Sequence, residues 1–484
     1  MGFKMSILLI APPALWRNRY LEKHERGAYF DVQKRYLGSG AWSFPAENLA
    51  IMSIKAYAAS RGIDVTTINA QTARHASIEQ TWHTILESAK KNGDPLLIGF
   101  TGTAEMYEES MELALRAKRR WSKVLTVLGH DLATLSWRDV LARSDAFDFA
   151  CTGDGEAAFT ELARRVLNGE SLAGCPSMFS RDDVGSAPVR HRNVPALNLD
   201  ELPWPSRDDL PAVRALGMGA AVFSSRGCPF RCTFCTTGSK SAIQHGSDSY
   251  RTKSITNVVD EISMLHRDHG VNFVTISDDL FLLNQVHSQR RAEEFATEMI
   301  RRQLSVSFMV DCRIDSIDAS LFSLLVQAGL VKVFIGVETA DDDQLQNYGK
   351  VYDRKSDSQL DVIRKKLQLL HDLSLDVVPG VLTYHPRVTK RELLMTDHLI
   401  EICKTPAPNM YWTKIIAYPG TPLYADYKAR GLLSGDWPTE YWHFEDPKAE
   451  RQYDRFTQLI SGRRSSFEFV RKTFLSTLDS WDED

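Results

Sequence analysis

The chain has 484 residues, and its 58 Lys and Arg against 62 Asp and Glu give a formal net charge of -4 at pH 7. This length exceeds a single hydrophobic core and predicts two or three domains. Without a basic excess, nucleic acid is a poor candidate partner, and no apolar run is long enough to span a membrane. The seven scattered cysteines do not suit a secreted disulfide framework and favour a reducing, cytoplasmic location.

Short apolar runs alternate with helical patterns from residue 6 to about residue 169. The predicted strands are SILLIAPP, DVTTIN, PLLIGFTGT, KVLTVLGH and FDFACTGDGE. Five strand-helix units in series are typical of a doubly wound parallel sheet with helices on both faces. We therefore predict an α/β fold that begins with a Rossmann-like domain over residues 1–170, whose ligands meet the loops at the carboxyl ends of the strands.

A long stretch at residues 12–45 separates the first strand from the first helical pattern. It is aromatic and basic, as a lid over a ligand would be. The alternative is a solvated loop packed on its own aromatic side chains.

Residues 171–217 are predicted to link this domain to a second one, because residues 185–211 carry five prolines and no helical period. Six further predicted strands follow, which are GAAVFSSRG, VNFVTISDD, SVSFMVDCR, LVKVFIGVE, LDVVPGVLTYH and NMYWTKIIAY. With helical segments between them, they predict a partial (β/α)6 TIM-type barrel over residues 218–425. Residues 426–484, rich in aromatic and charged side chains, predict a small C-terminal capping element.

Three of the cysteines are crowded into one stretch, SSRGCPFRCTFCTTG, directly after the first predicted barrel strand. Chance would give Cys228, Cys232 and Cys235 this C-x3-C-x2-C spacing in on the order of one in a thousand chains of this composition. One interpretation is a structural zinc site with His245 as a fourth ligand, in a binding protein without catalysis. The other is an iron-sulfur cluster held by three thiolates, which leaves one iron open to a substrate or cofactor.

The segment CPFRCTFC resembles the C-x3-C-x-aromatic-C signature of the radical S-adenosylmethionine (SAM) enzymes. The resemblance implies that Cys228, Cys232 and Cys235 bind a [4Fe-4S] cluster and that Phe234 lies near the adenine of SAM. In that family the amino and carboxylate groups of SAM complete the cluster, and electron transfer cleaves SAM to a 5'-deoxyadenosyl radical. An external electron donor such as flavodoxin or ferredoxin is therefore an expected partner.

Further residues at the ends of predicted barrel strands are candidate SAM contacts. IGVET, at residues 335–339, matches the family's fourth-strand end, so Gly336 and Glu338 are expected to touch SAM. Arg313, after the third strand, is a candidate for the SAM carboxylate, with a surface salt bridge as the alternative.

Paired carboxylates follow the second barrel strand in SDDLFLLN. A carboxylate there could accept from the SAM ammonium, and Asp278 is the candidate. A helix N-cap by Asp278 or Asp279 is the alternative interpretation.

The stretch TGDGEA fits the dinucleotide pattern G-x-G-x-x-A, but it follows the fifth strand rather than the first. A five-unit sheet ahead of a radical SAM barrel instead resembles the cobalamin-binding domain of cobalamin-dependent radical SAM enzymes. The matching loops are FTGTAEMYEES, LGHDLAT and TGDGE, where small residues and hydroxyls suit a corrin. The residues expected to contact cobalamin are Thr101, Thr103, Glu105, Gly129, His130, Thr134, Gly153, Gly155 and Glu156.

None of the 13 histidines follows an Asp two positions earlier, so the D-x-H-x-x-G motif that supplies a lower cobalt ligand in other cobalamin proteins is absent. We therefore expect cobalamin to bind without that histidine. A degenerate domain without cobalamin is the alternative. His130 is expected either to face the corrin or to be a hydrogen-bonded loop histidine.

Taken together, the resemblances imply a cobalamin-dependent radical SAM C-methyltransferase that acts on an unactivated carbon of a small metabolite or a peptide. One SAM would methylate cob(I)alamin and a second would give the radical that abstracts hydrogen from the substrate. Tyr384, His385 and Tyr418 follow the fifth and sixth strands and are the candidate catalytic residues. The alternative that keeps both cofactors is a cyclisation, ring contraction or oxidative ring closure without methyl transfer.

Overall fold

The structure is a computed structural model that describes most of the chain. The described residues are 5–13, 47–72, 77–185, 196–215, 219–244, 250–353, 355–356, 358–405, 407–460 and 466–482. The predicted lid, apart from its first two residues, and His245 lie outside these ranges. Among the helices within them, none combines the length and the apolar character that a membrane crossing requires.

The first half of the chain forms a six-stranded sheet with the strand order β2-β1-β3-β4-β5-β6. Its strands are β1 (Met5–Ala11), β2 (Thr66–Asn69), β3 (Asp94–Thr101), β4 (Leu125–Gly129), β5 (Phe149–Cys151) and β6 (Met178–Ser180). All neighbouring pairs are parallel except β5 and β6, which are antiparallel. The Rossmann-like sheet is therefore confirmed, and β6 is an addition that three residues are too few to reveal through alternation.

Helices cover both faces of this sheet. They are α1 (Leu49–Ser60), α2 (Ile78–Asn92), α3 (Tyr107–Arg120), α4 (His130–Arg143) and α5 (Gly155–Asn168). Along β1, Leu8 and Ile10 pack with α2, α3 and α4, whereas Ile7 and Leu9 pack with α1 and α5. Successive side chains of a strand point to opposite faces, so a fully apolar strand requires both layers.

The second sheet has five parallel strands in the order β13-β12-β11-β10-β7. Its strands are β7 (Ala220–Val222), β10 (Phe273–Ile276), β11 (Ser307–Arg313), β12 (Leu330–Glu338) and β13 (Asp376–Val381). A separate antiparallel pair, β8 (Ser225–Arg226) and β9 (Arg251–Thr252), precedes β10. The helices of this part are α6 (Leu210–Ala215), α7 (Thr236–Gln244), α8 (Ile255–His269), α9 (Val286–Arg301), α10 (Ala319–Gln327), α11 (Asp342–Asn347), α12 (Gln359–Asp372) and α13 (Lys390–Cys403).

The sixth predicted barrel strand, NMYWTKIIAY, is not a strand of this sheet. Residues Pro408–Trp412 form a short 3-10 helix, and only Lys414 makes a parallel bridge, to Tyr384. Proline has no backbone N–H for a ladder and suits the first turn of a helix, which accounts for the difference. The α/β fold class is confirmed, with a barrel of five strands and a vestige of the sixth.

The C-terminal region packs on the barrel. It consists of α14 (Pro422–Ala429), β14 (Leu433–Ser434), β15 (Tyr441–Trp442), α15 (Pro447–Ile460) and α16 (Phe467–Asp479). Phe456 and Phe474 belong to the same apolar cluster as barrel residues such as Leu399 and Tyr411. The region therefore shares the barrel's core instead of forming a core of its own.

Candidate active site between the two sheets

The three clustered cysteines lie between β8 and α7, at the carboxyl end of the second sheet. Their thiols are half-buried, whereas the other four cysteines are buried. The Cys228 N–H donates to Ser241 Oγ at 3.2 Å, and the Gly227 N–H donates to an Asp279 carboxylate oxygen at 2.9 Å. A backbone held from two sides keeps the thiols in a set arrangement, as a cofactor site requires.

Two glycines allow other backbone segments to approach this loop closely. A Cβ at Gly238 would lie 2.6 Å from the Phe230 carbonyl oxygen, and one at Gly349 would lie 3.2 Å from the Arg231 carbonyl oxygen. Gly349 also has a φ of 66°, which favours glycine. The cysteine loop is therefore packed against the turn that follows α11.

The charge state of the thiols suits metal binding. Burial raises the pKa of the Cys228 thiol to about 12 and also raises the pKa of Cys232, although the charges of Lys350 and Arg313 oppose the rise at Cys232. Such thiols stay protonated at neutral pH unless a metal replaces the proton, which coordination does outright. The three thiols thus fit as ligands of a metal cluster.

Among the described residues, no three His, Cys, Asp or Glu side chains converge on a point that one metal ion could occupy. A structural zinc ion needs four ligands around one centre. In a [4Fe-4S] cluster each thiolate binds a different iron, so the sulfur atoms stand apart.

The two carboxylates after β10 have different environments. Asp278 is 3% exposed, and it accepts hydrogen bonds from the N–H groups of Ser224 at 2.6 Å and Ser225 at 2.9 Å. Burial raises the pKa of Asp278. Asp279 is exposed and accepts from the Thr237 hydroxyl at 2.9 Å. The structure therefore uses the candidate Asp278 as a brace between loops and leaves Asp279 accessible to a ligand.

Arg313 has one free donor in a buried position. Its Nε and Nη2 groups donate to Asp315 at 3.0 and 3.2 Å, and its guanidinium lies 3.9 Å from the centre of the Phe230 ring. Its Nη1 group is buried without a hydrogen-bond partner among the described residues. A buried unpaired guanidinium N–H is costly, so this atom suits a ligand carboxylate.

Glu338 ends β12 with a φ of 61°, an uncommon backbone conformation for a residue other than glycine. Its carboxylate lies 2.5 Å from Lys350 Nζ, and both side chains are about 10% exposed or less. A Cβ at Gly336 would lie 2.5 Å from Glu338 Oε1, so a larger residue there would displace the ends of this pair. Gly336 and Glu338 thus meet in the structure, and Lys350 joins them.

Phe234 is half-buried, and its ring packs edge-on against Tyr348 with 5.2 Å between ring centres. The predicted contact of Phe234 with adenine stays a prediction. The T-shaped pair holds the ring beside Cys235, the last cysteine of the loop.

A cavity of about 310 Å³ lies at the carboxyl ends of the first sheet and reaches residues of the second. Seven of the nine predicted cobalamin contacts line it, and these are Thr101, Gly129, His130, Thr134, Gly153, Gly155 and Glu156. Thr103 and Glu105 do not. Its apolar wall includes Ile51 and Phe159 from α1 and α5, and its other side includes Arg226, Lys240 and Asp279. This volume is at the lower end of the range for pockets that bind drug-sized ligands, so the cavity fits one arm of a cobalamin rather than the whole molecule.

Two buried hydroxyls in the cavity wall have no hydrogen-bond partner among the described residues. They are Thr101 Oγ1 on the first sheet and Ser277 Oγ on the second. Buried polar groups in folded proteins are normally satisfied, so both atoms point to a polar ligand between the sheets. The many amides around a corrin fit this requirement.

The loop after β4 contacts the helix that follows the cysteines. Asp131 lies 2.5 Å from Lys240 Nζ and accepts from the Thr236 hydroxyl at 3.0 Å. Burial alone would raise the pKa of Asp131, but the charges of Lys240 and His130 outweigh it and hold this pKa well below its usual range. Thr236 is the residue after Cys235, so this contact joins the two candidate cofactor loops.

The TGDGE loop makes a second charged contact with the barrel. Glu156 accepts two hydrogen bonds from the Arg226 guanidinium, at 2.6 and 3.2 Å, and Asp154 accepts one from Arg251 at 2.7 Å. Asp154 precedes α5 but makes no capping hydrogen bond with its side chain. Glu156, predicted to contact cobalamin, therefore also fastens the two sheets together.

The three candidate catalytic residues do not meet in the structure. Tyr384 is fully buried and donates to Gln452 Oε1 at 2.8 Å, while His385 Nε2 lies 3.1 Å from Glu392 Oε1. Neither residue lines the cavity. Both residues follow the end of β13 at Val381, and Tyr384 packs against the C-terminal helix α15 through Gln452 and Tyr453. The catalytic role of Tyr384, His385 and Tyr418 stays a prediction.

Sequence patterns did not single out Asp311, which lies on the same face of β11 as Arg313. Burial raises the pKa of Asp311 to about 7, and the negative charges of Asp278 and Asp279 add to the rise. The alternation in SFMVDCR could have revealed it. Phe308, Val310 and Cys312 are core residues, so Asp311 between them faces the opposite side of the strand.

Lys350, Asp131, Lys240 and Arg226 were also missed. Their contacts join segments far apart in the chain, and a lone charge in a predicted loop carries no signal of its partner.

Comparison with known proteins matches residues 222–400 to the radical SAM superfamily and residues 42–163 to the B12 binding domain. An uncharacterized methyltransferase, PH0819, of Pyrococcus horikoshii is 27% identical over 349 residues, which cover 71% of this chain and 72% of that protein. The hopanoid C-3 methylase of Methylococcus capsulatus is 28% identical over 50% of this chain. The anaerobic magnesium-protoporphyrin IX monomethyl ester cyclase of Synechocystis sp. is 26% identical over 53% of it. The chain spans about half the length of these last two relatives, 45% and 50%.

Two solved structures share the fold over most of the chain. OxsB, a cobalamin-dependent SAM radical enzyme with aqua-cobalamin and SAM bound, has a TM-score of 0.69 at 16% identity, over 95% of this chain and 67% of that one. The radical SAM methyltransferase TsrM from Kitasatospora setae has a TM-score of 0.62 at 17% identity, over 82% of this chain and 71% of that one. The chain therefore carries a B12 binding domain followed by a radical SAM domain, and these two domains imply cobalamin, a [4Fe-4S] cluster and SAM as cofactors.

Proposed function

We propose that this enzyme is a C-methyltransferase that acts on an unactivated carbon of a small metabolite or a peptide. The observation that carries the proposal is the shared cavity, which is bordered by the candidate cobalamin loops and by Arg226 and Lys240 on either side of the cysteines. Relatives named as methyltransferase and methylase support it. Methyl transfer needs the donor and the activated carbon in one space, and proximity of this kind accounts for a large part of such catalysis.

When bound, the cluster and SAM supply hydrogen-atom abstraction and cobalamin supplies the methyl group. The protein binds and orients these groups. Cys228, Cys232 and Cys235 are the proposed cluster ligands, and the loop contacts of Ser241 and Asp279 hold them in place. An external one-electron donor, such as flavodoxin or ferredoxin, is the proposed partner that reduces the cluster.

Charged residues around the cysteine loop are the proposed SAM contacts. The free Nη1 of Arg313 suits the SAM carboxylate, because guanidinium and carboxylate pair strongly where water is excluded. We assign the ammonium to Asp279 rather than to Asp278, because Asp278 is only 3% exposed whereas Asp279 is exposed and accessible to a ligand. Glu338, held by Lys350, lies at the end of β12 where SAM is expected.

The contacts between the sheets are proposed to set the distance between the two cofactors. Asp131 with Lys240, and Glu156 with Arg226, join the cobalamin loops to both sides of the cysteine loop. Salt screens the attraction between partly buried charges less than the attraction between exposed ones. In the barrel, Asp311 is the proposed substrate contact, since its pKa of about 7 allows it to donate or accept a hydrogen bond at neutral pH.

The proposal is tested with anaerobically reconstituted full-length protein, SAM with a deuterated methyl group and a chemical reductant, in the presence of pools of metabolites and peptides. We expect S-adenosylhomocysteine, 5'-deoxyadenosine and a product that carries the deuterated methyl group. The matched control is Cys235→Ala, in which adding the reductant should not increase the amount of any of these three products. Substrate consumption with 5'-deoxyadenosine but without label in the product would contradict methyl transfer.

The second candidate is a radical cyclisation, ring contraction or oxidative ring closure without methyl transfer. The similarity to magnesium-protoporphyrin IX monomethyl ester cyclases of several bacteria favours it. The same experiment separates the two candidates, because only methyl transfer places deuterium in the product.

A further inference from the structure

The strands of the second sheet place one layer of side chains inside the barrel at the level of Asp311. On β11, Val310 and Cys312 belong to the apolar core, so Asp311 between them points to the barrel interior. Asp311 pairs with Phe334 of β12, and Phe334 pairs with Val378 of β13. Residues paired across neighbouring strands share a face of the sheet, so these three side chains are neighbours in the interior.

Ser277 extends this layer on the other side of Asp311. Thr275 pairs with Met309, so the next interior positions of the two strands are Ser277 and Asp311. The Ser277 N–H donates to the Val222 carbonyl oxygen at 2.8 Å, which continues the ladder between β10 and β7. The layer therefore combines a hydroxyl, a carboxylate and two apolar side chains.

The Asp311 carboxylate lacks a partner. Among the described residues it makes no hydrogen bond and no ion pair, and the charges that act on it, those of Asp278 and Asp279, are negative. Together with burial they raise the pKa of Asp311 to about 7. A buried carboxylate without a partner is unfavourable, and a bound cation removes this cost.

Two cations of the described residues face the same interior, but both are paired elsewhere. Arg313 donates to Asp315 through two nitrogen atoms, and Lys332 Nζ lies 3.0 Å from an Asp376 carboxylate oxygen. Neither contacts Asp311, so a positive charge at this position would come from a ligand.

A second observation also indicates a ligand at this level. Ser277 Oγ is buried and has no hydrogen-bond partner among the described residues. Ser277 lines the cavity that connects the two sheets, so a ligand that enters from there can reach it. A hydroxyl can accept one hydrogen bond from a protonated amine that donates another to a carboxylate.

We propose that the substrate carries a protonated amine, which donates hydrogen bonds to Asp311 and Ser277. Phe334 and Val378 contact the carbon skeleton beside the amine. The inference rests on the proposed function, because it places the substrate of that reaction in the barrel, and it narrows the substrate class to amines. A carboxylate or phosphate would instead meet the negative charges of Asp311 and of the two carboxylates after β10.

The test is isothermal titration calorimetry at pH 8 with the reconstituted full-length protein, loaded with SAM and kept without reductant so that SAM is not cleaved. The probes are 2-phenylethylamine, 2-phenylethanol and phenylacetate, which are similar in size and differ in charge. We expect the amine to bind about tenfold more tightly than the alcohol, because hydrogen bonds between charged groups are stronger than those of neutral groups. Phenylacetate should bind most weakly.

Asp311→Asn is the informative variant, because it keeps the size of the side chain and removes its charge. We expect this variant to bind the amine and the alcohol equally and to keep the wild-type affinity for SAM. Ser277→Ala should weaken amine binding about fivefold, as expected for one hydrogen bond. The matched control is Asp436→Asn, at an exposed aspartate, which should keep the wild-type preference. Urea unfolding verifies that each variant is folded.

Four binding results would overturn the proposal. In the wild type, these are equal affinities for the amine and the alcohol, and failure of the amine to bind. In Asp311→Asn, they are an undiminished preference for the amine, and loss of SAM binding, which would assign the carboxylate to SAM instead of the substrate.

The experiment with deuterated SAM separates this inference from the proposed function. We expect the labelled product to be retained by a cation-exchange resin, as an amine is. A labelled product without an amine would support methyl transfer and overturn the amine class. An amine preference in binding, together with substrate consumption but no label in the product, would support the amine class and contradict methyl transfer.

Discussion

Tyr418 donates a hydrogen bond of 2.6 Å to Glu105, 313 positions earlier in the chain. The sequence predicted a catalytic role for Tyr418 and a cobalamin contact for Glu105. The structure instead pairs them across the two sheets, beside the contacts of Asp131 and Glu156. Each of the segments that follow β3, β4 and β5 thus contributes a carboxylate that contacts a residue in the second half of the chain.

A double-mutant cycle of Tyr418→Phe and Glu105→Gln tests this contact. A hydrogen bond to a carboxylate contributes about 1.5 kcal/mol, so we expect a coupling of this size in urea unfolding of the cofactor-free protein. Tyr418→Phe should still cleave SAM. Loss of SAM cleavage with unchanged stability would instead support the catalytic role.

Glu156→Gln should destabilise the protein far more than Glu170→Gln. Both glutamates lie 2.6 Å from an arginine nitrogen, but the Glu156 side chain is 4% exposed and the Glu170 side chain 42%. Removing one charge of a buried pair costs about 3 kcal/mol, whereas an exposed pair contributes about 0.5 kcal/mol. The free energy of unfolding from urea titrations measures both. Equal effects of the two substitutions would show that the Arg226 contact is not structural.

Cys228→Ala should abolish cluster binding. The variant loses one of three proposed ligands, so the iron and sulfide content after anaerobic reconstitution should fall to a small fraction of the wild-type content. The matched control is Cys403→Ala, because Cys403 is fully buried in α13 and its loss should leave iron binding unchanged. Retention of iron in Cys228→Ala would exclude this cysteine as a ligand.

Asp311 should make the cofactor-free protein less stable as pH rises. Its pKa is 3.8 in the unfolded chain and about 7 in the folded state, so the folded state binds the proton more tightly. Stability therefore falls between about pH 4 and pH 7 and is level above, as linkage requires. Asp311→Asn should remove this slope and stabilise the protein by about 4 kcal/mol at pH 8.

Urea unfolding at several pH values measures this slope. Asp436→Asn, at an exposed aspartate, is the control that should leave the slope unchanged. A wild-type slope that persists in Asp311→Asn would contradict the assignment.

The parts of the fold that sequence analysis predicted are those with strong local patterns. β12 has the residues that the pattern LVKVFIGVE predicted, and the cysteine loop follows β8 as expected. The sixth barrel strand failed because Pro408 starts a helical turn within an apolar run. The packing of Tyr384 was not predictable, because the point at which a strand leaves its sheet depends on tertiary contacts, in this case with Gln452 of α15.

The contacts between the sheets were beyond sequence analysis for a different reason. Asp131 lies in the first turn of α4 and Lys240 lies in α7, but their pairing depends on how two domains meet, which no local pattern encodes. The strained backbone of His130 was equally hidden, because no residue pattern marks a left-handed histidine. Both features border the cavity in which cobalamin is proposed to bind.

We propose that one chain holds an iron-sulfur cluster on the cysteine loop and cobalamin in the adjoining cavity. The most direct measurement is the iron, zinc and corrin content of full-length protein reconstituted anaerobically with iron, sulfide and hydroxocobalamin. We expect about four irons and about one corrin per chain, with iron lost and corrin retained in Cys228→Ala. Iron without corrin, or zinc without iron, would contradict it.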